Sequence, residues 1–154
     1  MVNTENLKFI AINLLYIATF GLASLRKWQT GGVPDSFRDQ FSESWLAVLP
    51  GDLALPYYTI AILETLITIL FIFSMFFKEW QVTGKKTFMT SGLILSLFTF
   101  VILAYGLRLT GQFQGTANAF FYFGCTLIAL YITENSAYEP KERIAPGSIK
   151  DGSE

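Results

Sequence analysis

Four long apolar runs, separated by stretches that hold most of the cations and all three indoles, organise the chain. The first covers residues 7–25 and stops at Arg26-Lys27-Trp28. The second covers 57–77, opening after Pro56 and closing at Lys78-Glu79-Trp80. The third, 88–107, ends at Arg108, and the fourth, 117–132, is the shortest and carries Asn118. A helix needs about 20 mostly apolar residues to cross a hydrocarbon layer about 30 Å thick. A membrane strand would instead alternate over about ten residues. The pattern therefore predicts an all-α integral membrane protein, a four-helix bundle over 1–133. The first run is read as a retained span; its faint small-residue pattern Gly21-Leu22-Ala23 follows a segment with Lys8 and Glu5, a poor cationic leader.

The first connection is long, from Trp28 to Pro56. Within 35–49, Phe37, Phe41 and Trp45 recur every fourth residue, with Asp35, Arg38, Asp39 and Glu43 on other faces. This is an amphipathic helix, with Pro34-Asp35-Ser36 as its start signal. It should lie on the extracytoplasmic surface or fold over the mouth of the bundle. Residues 134–154 are polar, hold Pro140 and Pro146, and read as a disordered cytoplasmic tail.

Composition sharpens the class. Hydrophobic residues make up 52% of the chain and charged residues only 15%, against roughly a quarter charged in soluble domains. The net charge of −1 gives nucleic acid no electrostatic footprint. There is no histidine, which removes imidazole-ligated haem, histidine-bound zinc and a Ser-His-Asp triad. Cys125 is the single cysteine, so no dithiol relay runs through this chain alone. No metal site is expected. Of the 11 Lys and Arg residues, seven (Lys8, Lys78, Lys85, Lys86, Lys141, Arg143 and Lys150) fall on the side of the termini. Arg26, Lys27, Arg38 and Arg108 fall on the other, so both termini should be cytoplasmic.

Glu64 is the residue with the most to explain. It lies eight positions beyond Pro56, about 12 Å into the second span by helical rise. A carboxylate at that depth must be paired or protonated. It reads either as half of an ion pair between helices or as a proton-relay or ligand-anchoring group, with the structural reading favoured. The basic candidates are Arg26, Lys27 and Arg108. Arg26 is preferred over Lys27 because a guanidinium meets a carboxylate through two parallel hydrogen bonds. Asn13 and Asn118 read as inter-helix amides, with ligand contact the lesser alternative. Gly92 and Ser96 form a small-xxx-small face suited to close helix packing. No phosphate loop or catalytic set emerges.

The exit Gly21-Leu-Ala-Ser-Leu-Arg26-Lys27, the Phe-rich stretch Phe37–Phe41 and the second-span start Pro56-Tyr-Tyr-Thr-Ile-Ala-Ile-Leu-Glu64 resemble the DoxX-like family of small bacterial membrane proteins. Asn118 to Tyr131 fits more loosely, and the similarity runs over residues 8–133. The resemblance implies a bacterial cytoplasmic (inner) membrane and a polar pair of Glu64 with the basic residue at the first-span exit. It also implies a non-enzymatic subunit or accessory of a quinone-linked or other redox complex, and no catalytic residue. Two alternatives stay open: a binder or transporter of quinone, lipid or another small molecule anchored on Glu64, and a membrane enzyme acting on quinone or lipid. The expected partners are the lipid bilayer, redox-complex subunits or further copies of the chain. No cofactor is predicted beyond a quinone that the redox reading would accommodate.

Overall fold

The computed structural model describes residues 4–82 and 84–136, so most of the tail expected over 134–154 lies outside the described residues. The described chain is helical, with no strand. Helix α1 spans Thr4–Gln29, the short α2 spans Asp35–Phe41, α3 spans Ala54–Phe76, α4 spans Thr87–Leu109 and α5 spans Phe113–Ser136. The four long helices are each long and apolar enough to cross a membrane. Neighbours in sequence pack as neighbours in space: α1 on α3, α3 on α4, and α4 on α5. Closure from α5 to α1 runs through a hydrogen bond of 2.6 Å between Tyr16 Oη and Thr126 Oγ1.

Each helix turns a stripe inward at helical spacing. On α1 the stripe is Phe9, Asn13, Tyr16, Phe20 and Ser24; on α3 it is Tyr57, Ala61, Glu64, Ile67, Phe71 and Ser74. The interior thus mixes apolar and polar side chains. Ser96, Thr99, Thr126 and Thr133 are buried beside the aromatic core, and all four hydroxyls donate to the carbonyl four residues back. Leu22, Phe98, Phe120 and Ile128 instead face outward, 69%, 64%, 69% and 62% exposed. Large apolar side chains facing outward suit a bilayer, because each one left in water forfeits its transfer free energy.

Gly92 explains the closest approach. A Cβ there would lie 2.9 Å from the Phe71 ring, so only glycine lets α4 seat against α3 at this level. Phe71 in turn stacks on Tyr16 at 4.7 Å between centroids.

The two ends are knit differently. At the α3–α4 turn, Lys78 adopts φ +58° and the Glu79 amide donates to the Ser74 carbonyl at 2.9 Å, closing α3 in a left-handed cap. The Glu79 carboxylate then accepts from the amides of Phe88 and Met89 at 2.9 and 2.8 Å. It satisfies two of the donors that the first turn of α4 leaves unpaired. Lys86 is buried, donates to the Gln81 carbonyl at 2.7 Å and lies 4.3 Å over the Phe9 ring.

At the opposite end, the single amphipathic helix expected over 35–49 is two pieces. Helix α2 stops at Phe41, and a 3-10 turn follows at Trp45–Val48. The break lies at serines: Ser42 Oγ donates to the Asp39 carbonyl at 3.1 Å and Ser44 Oγ to the Phe41 carbonyl at 2.6 Å. Such side chains compete with the helix for its own carbonyls. Trp45 consequently leaves the Phe37–Phe41 face and donates its indole N–H to Tyr105 Oη of α4 at 3.1 Å.

Candidate functional site

The α2 end of the bundle gathers most of the candidate residues. On α3, Glu64 continues the inward stripe and is 4% exposed. Both of its carboxylate oxygens lie 2.8 Å from Lys27 Nζ. The pairing follows from helical phase: Lys27 stands three residues beyond buried Ser24, so it extends the inward stripe of α1, whereas Arg26 is turned about 100° away. Arg26 is exposed, and the preference for its guanidinium does not hold against that geometry.

Around the pair the α1–α3 seam is polar. Ser24 and Thr65 share a hydrogen bond of 2.7 Å, the Trp28 indole N–H donates to Thr65 Oγ1 at 2.9 Å, and Tyr57 Oη donates to the Lys27 carbonyl at 3.4 Å. At the same end α2 packs against α3 and α4. Phe37 meets Phe41 at 4.6 Å and Tyr57 at 5.3 Å between centroids. Phe41 reaches α4 beside Gly106, and Gln40 Nε2 donates to Thr110 Oγ1 at 3.0 Å. The carboxylate is therefore held by a cation between α1 and α3, with both oxygens engaged by Lys27.

Arg108 and Asn118 lie apart from that pair. The Arg108 guanidinium sits 4.5 Å over the Phe113 ring at the turn between α4 and α5. Asn118 is exposed on α5 and its Oδ1 accepts from Gln114 Nε2 at 3.3 Å, one turn earlier on the same helix. Asn13 is buried and donates to the Phe9 carbonyl at 2.8 Å within α1, with Met89 Sδ of α4 3.8 Å away.

The second feature of this end escaped sequence reasoning. A groove of about 550 Å³ runs between α4 and α5, from Arg108 and Thr116 at its lip down to Phe100. Ala104 and Ala119 open it by being small, and Val101, Tyr105 and Phe120 are exposed along it. That volume is in the range of small-molecule sites. Only Arg108 among its lining residues carries a charge. Two alanines on facing helices are the only signal the sequence offered, and they have meaning only once α4 and α5 are known to pair. A smaller cavity of about 330 Å³ lies between α1 and α5, lined by Tyr16, Thr19, Cys125 and Thr126, and Phe100 belongs to its wall as well.

Among the described residues no three His, Cys, Asp or Glu side chains come together as a metal site would require. Compared with protein-family models, with curated proteins and with solved structures, the chain matches none of them.

Proposed function

We propose that this chain is a non-catalytic, multi-pass protein of a bacterial cytoplasmic membrane that holds one lipid-like or quinone-like molecule in the groove between α4 and α5. The observation that carries this is the groove itself, with an oily wall and a single guanidinium at the lip. A molecule with a polar head and an apolar body fits such a site from within the bilayer. Glu64 serves as the structural partner of Lys27 in this reading rather than as the ligand's anchor. The surplus of cations on the side of the termini supports a cytoplasmic placement for both.

Native mass spectrometry of protein released from membranes tests the proposal. The intact chain should retain one lipid or quinone per copy, and Ala104→Trp, which fills the groove, should release it. A chain that carries nothing, with wild type and variant alike, would sink the idea. The second reading is an accessory subunit of a redox complex. It is favoured by the DoxX-like motifs that end in Arg26-Lys27 and Glu64, and in it the occupied groove would face the partner.

A further inference from the structure

The groove between α4 and α5 carries one cation at one end and one aromatic barrier at the other, and each constrains its occupant. We infer that it takes a medium-chain carboxylate, a fatty acid, with Arg108 holding the head and Phe100 setting how much chain fits. The inference rests on the reading of the groove as a ligand site.

Charge selects the head. The Arg108 guanidinium carbon lies 4.5 Å over the centre of the Phe113 ring. A cation–π contact takes up no carboxylate-type acceptor, so the guanidinium N–H donors still call for one. Among the described residues no acidic side chain forms an ion pair with Arg108. One guanidinium balances one carboxylate in charge and matches it in its two-pronged geometry. A phosphate monoester, with close to two charges, would want a second cation that the groove wall does not hold.

Length follows from the barrier. Arg108 and Phe100 are eight residues apart on α4, about 12 Å by helical rise. Phe100 is buried, braced by Phe20 at 5.6 Å and Tyr122 at 5.8 Å. Because its ring is a wall shared with the cavity beside Tyr16 and Thr126, trimming it joins the two volumes. A chain of medium length ends at Phe100, and a longer one needs the space beyond.

The full chain in phosphatidylcholine nanodiscs, labelled by a photoreactive diazirine laurate, tests both parts. Crosslinks should map to α4 and α5 on the groove. Laurate should compete, and lauryl alcohol should not. Arg108→Gln should weaken labelling about tenfold, the worth of one charge-assisted hydrogen bond. Phe100→Leu, a mild trimming that the core can accept, should shift competition several-fold from laurate toward palmitate, and Phe100→Ala further. If decylubiquinone or lauryl alcohol competes as well as laurate and Arg108→Gln changes nothing, the fatty-acid inference falls while the groove remains a binding site. If labelling ignores Ala104→Trp as well, both readings fall. Should Phe100→Leu leave the chain-length preference unmoved, the ruler assigned to that ring is wrong.

Discussion

Lys27 Nζ stands 2.8 Å from each carboxylate oxygen of Glu64, and the two side chains are unequally shielded, 23% and 6% exposed. The carboxylate has given up nearly all contact with its surroundings, whereas the ammonium keeps an edge at the rim of the bundle. Such a pair contributes little in net terms when whole, since the attraction offsets the desolvation of both ions. Broken, it strands a charge. The asymmetry says which half matters more: Glu64 without Lys27 is the worse outcome.

The first prediction is accordingly a double-mutant cycle. Lys27→Met should destabilise the bundle by roughly 3 kcal/mol, the lower part of the range for orphaning a buried charge. Glu64→Gln should cost less, because the ammonium can turn outward along its apolar stem. The double variant should recover much of the loss, giving a coupling of about 1 kcal/mol or more between contacting sites. Arg26→Gln should stay within about 0.5 kcal/mol, as exposed substitutions do. Denaturant unfolding in mixed micelles reads all four. Additive single effects would mean that the pair is not coupled.

A second prediction concerns the helix seam. Gly92→Ala places a methyl 2.9 Å from the Phe71 ring. Phe71 is fully buried and stacked on Tyr16, so it cannot easily swing aside. The substitution should cost about 1 to 3 kcal/mol by overpacking. Adding Phe71→Leu should restore part of that loss. A Gly92→Ala protein as stable as wild type would show that α3 and α4 do not approach this closely.

These two cases also show what could be read from the chain and what could not. Glu64 announced itself because a lone carboxylate in an apolar run has to be compensated. Its partner was decided by phase: the stripe Phe20, Ser24, Lys27 faces inward and Arg26 does not, which outweighs the better hydrogen-bonding geometry of a guanidinium. Phe37 and Phe41 were legible as one face, but the serines that end α2 before Trp45 act through their hydroxyls, which a hydrophobic pattern does not register. Glu79 marks only the end of the second apolar run in the sequence, yet it caps α4 across the turn. The groove was invisible in principle, since it exists only between two helices whose pairing and rotation the linear pattern leaves open.

Lys86 yields a prediction in pH. Burial pushes its ammonium below the ordinary lysine value of 10.5, the Glu79 carboxylate pulls the other way, and Lys8 adds a smaller downward push. In the window between the depressed value and 10.5 the unfolded chain binds more protons at this site than the folded one. This site's contribution to stability therefore rises with pH through that window, and its penalty is fully present below it. Lys86→Met removes the titration. The stability difference, wild type minus variant, should climb as pH approaches the ordinary lysine value, measured by unfolding in micelles. A difference that is flat or falls would mean that the side chain is more hydrated than its position over Phe9 implies.

The last prediction fixes the bundle in its membrane. The α2 end and the α3–α4 turn lie at opposite ends of the long helices, since α1, α3 and α4 alternate in direction between them. Lys78, Lys85 and Lys86 belong to that turn, and short cytoplasmic connections are where Lys and Arg accumulate. In a Cys125→Ser background, Glu43→Cys should react with a membrane-impermeant maleimide added to intact cells, while Lys85→Cys should react only after the membrane is opened. Both positions are exposed at their ends of the protein, so reactivity reports sidedness rather than burial. The reverse pattern would turn the molecule over, placing α2, the Lys27–Glu64 pair and the Arg108 end of the groove at the cytoplasmic face. Labelling of both positions from outside would go further: it would mean that the chain between them does not cross the bilayer an odd number of times, and α3 could not then be a span.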